Sequence, residues 1–223
     1  MLRAGGGIKR PVFIAGNSGE SSTGANVTVD FFPISPLEND IIVVVYGWVS
    51  ITDDAPSIVT PGYTVIAELY QSDVWDVNFL AAYKVMGSTP DGSVEVAGHG
   101  SNPTVAVAQL WRGASTSSPM DVAATTATNL NSSRPNSPSI TPVTPGAVVL
   151  SLGVGVGAGG PLSTPSGMAN GTRTRSNDGT KVAVAGIASA DWVSGAYDPV
   201  AWGGSDGGGS DSWAAATIAL RPA

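Results

Sequence analysis

The 223-residue sequence has no cysteine, a single histidine, and charged side chains at only 12% of its positions. Without thiols there can be no disulfide framework, thiolate zinc site or cysteine nucleophile, and the composition fits folding in a reducing cytosol. With His99 alone, in Gly98-His99-Gly100, a histidine zinc site or a histidine-based triad lacks its partners. His99 therefore reads as a turn residue. Helical patterning is missing too: no dozen-residue run places apolar side chains three and four apart with Glu, Lys or Arg opposite. No run reaches the roughly 20 apolar residues of a membrane helix, because the longest, Ala147 to Ala158, is interrupted by glycine. Near the start, Arg3, Lys9 and Arg10 precede the apolar Val12 to Ala15, too short for a secretory core.

Positive charge is also scarce. Ten Lys and Arg stand against 17 Asp and Glu, for a net charge of −7 and a pI near 4.4. A nucleic-acid partner needs a basic groove to neutralise phosphates, and no segment supplies one.

What is abundant is Gly (29), Pro (16) and, beyond them, Ser, Thr, Val and Ala, the vocabulary of strands and turns. Strand patterns are predicted at Val27 to Phe32, Ile41 to Ile51, Tyr63 to Tyr70, Val77 to Met86, Val94 to Ala97 and Thr104 to Trp111. Pro36, Pro56, Pro61-Gly62 and Asp91-Gly92 punctuate them. A polar stretch from Ala114 to Gly146, with one short strand at Met120 to Ala124, is followed by runs at Ala147 to Val156, Thr180 to Ser189 and Ser212 to Leu220. A return after a long crossover predicts an all-β, antiparallel, jelly-roll-like β-sandwich. Residues 1–24, rich in Gly and Ser, are expected as an extended N-terminal arm that leaves the globule. Residues 25–223 form the sandwich, with two smaller sandwiches split near Ala114 as the alternative.

Several short elements carry a resemblance. They are Pro36-Leu37-Glu38-Asn39-Asp40 before an apolar strand, Pro61-Gly62-Tyr63-Thr64-Val65-Ile66, Ala82-Tyr83-Lys84-Val85, Leu110-Trp111-Arg112-Gly113, Pro119-Met120-Asp121, and the closing run from Trp213 to Pro222. Together they resemble a family of bacteriophage and prophage virion-associated β-sandwich proteins. That family's pattern has Gly where Asn39 stands and Trp where Tyr63 stands. The resemblance implies a structural role on the phage particle, in a virion assembled in the host cytoplasm. It leaves open capsid decoration, head fibre, and tail fibre or spike.

The expected partners follow from that role. They are other virion proteins through the arm and further copies of the chain in a closed ring, a trimer being common. No membrane insertion and no catalysis are expected. The alternative is a carbohydrate-binding adhesin that takes host surface glycans, with Trp75, Tyr70, Tyr197 and Trp202 as stacking residues. The Gly/Asp-rich run from Gly203 to Asp211 occurs once, whereas calcium-binding repeats of that type come in stacks. Asp198, Asp206 and Asp211 are its candidate calcium ligands. Asp53-Asp54 and Asp73 with Asp76 could pair as acid and base, but read as solvated turn residues. Alternating Gly153 and Gly155 predict a backbone or large side chain packed against that strand. Arg112, ending an apolar strand, is expected to pair with Asp121.

Overall fold

The computed structural model describes residues 9–31, 33–130, 132–157, 160–204 and 211–223. The described residues form strands and turns with no helix. The strands are β1 (Val12–Ser21), β2 (Val27–Asp30), β3 (Ile41–Ser50), β4 (Thr64–Gln71), β5 (Asp76–Val85), β6 (Ser93–Val96), β7 (Thr104–Arg112), β8 (Thr125–Leu130), β9 (Val148–Val156), β10 (Ala169–Asn177), β11 (Val182–Asp191) and β12 (Ser212–Leu220). One antiparallel sheet runs β1-β7-β3-β5-β4, a second runs β10-β11-β9-β12-β8, and β2 pairs with β6 as a separate ribbon.

The two five-stranded sheets share one core, in which Val43, Val45, Phe79 and Val107 of the first meet Leu150, Leu152, Ile187 and Ile218 of the second. Each such side chain contributes roughly 1.5–3 kcal/mol on burial. The fold is thus an antiparallel β-sandwich in which each five-stranded sheet is drawn from one half of the chain, with a single passage between sheets near Ala114. That passage is a boundary between sheets. It does not divide two cores.

Both outer faces are covered as well. The β2–β6 ribbon lays Val27, Val29, Val94 and Val96 over Ile42, Val44, Tyr46 and Leu110 of the first sheet. On the second sheet, loop residues cover the outer face: Trp202 packs with Val184 and Ala188, and Ile140 and Trp192 with Val149 and Ala219. Burial on both faces explains why β3, β9 and β12 are buried at every position, and why β3 reads as an uninterrupted apolar run instead of an alternation. The glycine alternation in β9 has the predicted cause. A Cβ on Gly153 would lie 2.5 Å from Pro135 and one on Gly155 would lie 2.3 Å from the Ser133 carbonyl oxygen.

The halves of the chain repeat one topology. Numbering the main strands within each half, both sheets read 1-5-2-4-3, from β1 to β4 in the first and from β8 to β10 in the second. The register agrees. Ile41 pairs with Val85 and Trp111, and Val148 with Asp191 and Leu220. Asn39 (φ 70°) and Gly146 (φ 87°) occupy the same left-handed position before β3 and β9, and Gly62 and Gly167 the same one before β4 and β10. Asn39 takes the place of the glycine in the resembled pattern, and Asn tolerates this backbone better than other side chains. Register shifts interrupt β4 after Val65 and β10 after Ala169 at matching places.

Two expectations need correction. The stretch from Val12 to Ser21 does not leave the globule: it is an edge strand laddered to β7 from Val12–Arg112 to Ser21–Thr104. Its Phe13 packs edge-to-face on Trp111 at 5.6 Å, and that apolar contact outweighs the Gly and Ser content that suggested an arm. Residues 1–8 lie outside the described residues. The short strand expected at Met120 to Ala124 is instead one bridge, Met120 to Leu220, and the strand itself follows at β8.

Candidate binding groove

The elements that carry the resemblance meet in pairs. Arg112 donates from Nε and Nη2 to the two carboxylate oxygens of Asp40, each at 2.8 Å, joining the Pro36-to-Asp40 turn to the end of β7. Lys84 donates to the Pro61 carbonyl at 2.9 Å and to Asp91 at 2.6 Å, with its ammonium 5.7 Å from the Tyr63 ring centroid. Arg221 donates from Nε to Asp121 Oδ1 at 3.1 Å and from Nη2 to the Asp121 carbonyl at 2.9 Å. The predicted Arg112–Asp121 pair is therefore replaced by two pairs. The duplicated register explains this, since Arg112 follows Trp111 and Arg221 follows Leu220 at equivalent ends of β7 and β12.

Asp121 is buried and accepts amide hydrogens from Val143 at 2.6 Å and Thr144 at 3.0 Å. Burial alone pushes its pKa up, but hydrogen bonds from Thr144, Val143 and Arg221 outweigh burial and hold it below the ordinary carboxylate value.

The four aromatic stacking candidates do not form a platform. Trp202 is 1% exposed and lies on Gly186, where a Cβ would come within 2.6 Å of its ring. It cannot offer a face to a sugar. Trp75 is half-buried against the shared core, with the Lys181 ammonium 5.2 Å from its ring centroid. The Tyr70 hydroxyl donates to Asp76, and that hydrogen bond raises its pKa. Tyr197 bridges to Ile140 on the outer face of the second sheet, where burial raises its pKa.

Of the candidate calcium ligands, Asp198 is exposed and Asp211 is buried, and Asp206 lies outside the described residues. Among the described residues no three His, Asp or Glu side chains form a metal site. Of the paired acids, Asp76 is buried and takes the Asp73 amide hydrogen, while Asp54 pairs with His99 Nε2 at 3.2 Å. His99 stacks on Trp48 with centroids 5.0 Å apart, a packing role.

A groove that the sequence did not announce lies at the seam where β1, an edge of the first sheet, faces β10, an edge of the second. The two approach closely because Gly16 has no side chain: a Cβ there would sit 2.1 Å from Thr172 Oγ1. Gln109 of β7 is fully buried behind the seam and donates to the Asn170 carbonyl at 2.6 Å, to Thr172 Oγ1 at 3.1 Å and to the Ile187 carbonyl at 3.1 Å. It thereby pins the bulge at Asn170, whose φ is 52°. A concavity of about 620 Å³ is lined by Phe13, Asn17, Ser18, Thr172 and Arg173 among others. A second of about 380 Å³ reaches Arg10, Trp111 and Asp191, and a third of about 440 Å³ ends at Tyr197. All three share Asn170. Across the middle, Arg10 Nη1 meets Asp191 Oδ2 at 3.0 Å with both side chains more than half exposed, a pair worth under about 1 kcal/mol. No family model, curated protein or solved structure matches the chain.

Proposed function

We propose that the chain is a non-catalytic structural protein on the exterior of a bacteriophage particle, as capsid decoration, head fibre, or tail fibre or spike. The observation that carries this reading is the use made of the resembled elements. Each reaches a partner that ties one strand end or turn to another: Arg112 to Asp40, Lys84 to Pro61 and Asp91, Arg221 to Asp121. Residues serving a reaction would converge on a cleft with perturbed acids and bases, whereas these are dispersed around the sandwich and serve its closure. A core shared by two sheets and covered on both outer faces suits a rigid exterior domain. Repeated copies would follow the symmetry of the particle.

Quantitative peptide mass spectrometry of purified particles tests this reading through copies of the chain per major capsid subunit. Many copies indicate a decoration and a handful a fibre or spike. Complete absence from particles refutes the proposal.

A further inference from the structure

We infer that the seam between β1 and β10 binds an extended acidic oligosaccharide, with Arg173 taking a carboxylate and Asn170 and its neighbours taking sugar hydroxyls. The inference deepens the exterior reading by giving the surface a ligand, and it rests on that reading only for where such a ligand is met.

The shape argues for a polymer. Between Arg10 and Ser18 the β1 wall runs about 25 Å at roughly 3.3 Å per residue. Two concavities lie along it and share Asn170, from which the third continues beside β10 and β11, and the largest falls within the roughly 300–1,000 Å³ of ligand sites. The lining suits sugars, because it joins amide and hydroxyl groups with two half-buried rings, Phe13 in the largest concavity and Tyr197 in the one beside β10 and β11. Rings of this kind pack against the C–H face of a pyranose while polar neighbours bind its hydroxyls.

The charge selects the acidic class. Arg10, Arg112 and Arg221 are each held by a carboxylate, whereas exposed Arg173 has only the Thr164 hydroxyl, at 3.2 Å from Nη1, as its partner among the described residues. A guanidinium fork in an open groove is matched to a carboxylate. A peptide strand fits less well. Adding a strand needs a regular free edge, and β10 is broken by the register shift between Ala169 and Thr172, while β1 shifts between Phe13 and Ala15. Bulges of this kind are how edges resist pairing.

The test is calorimetric titration of the full chain with uronate oligosaccharides from alginate and hyaluronan, with neutral dextran oligosaccharides beside them. Arg173→Gln should weaken uronate binding about tenfold, the loss of one charge-assisted contact. Asn170→Gly, which keeps the left-handed backbone, should weaken it several-fold, and Glu68→Gln on the distant β4 should leave it unchanged. Circular dichroism and melting of each variant separate loss of binding from loss of fold. The inference is overturned if no uronate binds, if neutral sugars bind equally well, or if folded Arg173→Gln and Asn170→Gly bind as the parent does. Particles that carry the chain but a chain that binds no uronate would remove this inference and leave the structural role standing. Binding by a chain absent from particles would do the reverse.

Discussion

Replacing Asp121 by alanine removes a buried acceptor on which three donors converge. The Val143 and Thr144 amides both point at Oδ2, and Arg221 Nε at Oδ1. A buried donor left without an acceptor costs about 1–3 kcal/mol, and breaking a buried ion pair about 3–5 kcal/mol. The Arg221 side chain is one-third exposed, so water recovers part of its hydration, and a total near 3–4 kcal/mol is expected. For a chain of this size about 2–4 °C of Tm is lost per kcal/mol. Differential scanning calorimetry at neutral pH should therefore show a fall of about 10 °C.

The same residue fixes the pH dependence. Because the folded-state pKa of Asp121 is lowered, its contribution is complete above the ordinary carboxylate value near pH 4 and is lost as pH falls through the folded value. The gap between parent and variant should thus narrow below about pH 4. A Tm change under about 2 °C at neutral pH, or a gap that widens in acid, would refute the reasoning.

Further outcomes follow from the same geometry. Arg112→Ala leaves the Asp40 carboxylate, 1% exposed as a residue, with only the Leu37 amide at 2.8 Å among the described residues; a loss of about 2 kcal/mol in urea unfolding is expected, mostly restored by neither Lys nor Gln because neither has the two-pronged fork. Gly186→Ala drives a methyl into Trp202, costing about 1–3 kcal/mol, and Trp202→Ala should cost about 3–5 kcal/mol by emptying that site. Equal stability of the parent and Gly186→Ala would show that the outer loop carrying Trp202 yields freely.

The central strands were legible in the sequence because they are buried on both faces: Ile41 to Val49 and Val148 to Val156 can be little else than interior strands. The edges were not. β1, β8 and β10 have one side facing solvent and are written in Gly, Ser, Thr, Asn and Arg, the composition of loops. The repeated topology was hidden for a related reason. Outer-face positions differ in bulk between halves, so that Tyr46 matches Gly153 and Leu80 matches Gly186, according to whether a ribbon or a tryptophan-bearing loop covers the sheet. The halves share residues governing backbone or strand ends, such as Gly62 with Gly167 and Arg112 with Arg221.

The groove escaped notice because its walls lie about 150 residues apart and consist of common polar residues. Trp202 stands in a polar stretch that suggests an exposed sugar-binding ring, yet the glycines of β9 and β11 show it to be a core residue. Alternating glycine was the signal that could have corrected it, since it announced a large neighbour without saying which.

Immunogold electron microscopy of intact particles, with antibody raised against the folded chain, tests the proposed exterior role most directly. Gold is expected at regular sites on the surface of undisrupted virions. Label that appears only after particles are broken, or only on uninfected cells, would contradict it.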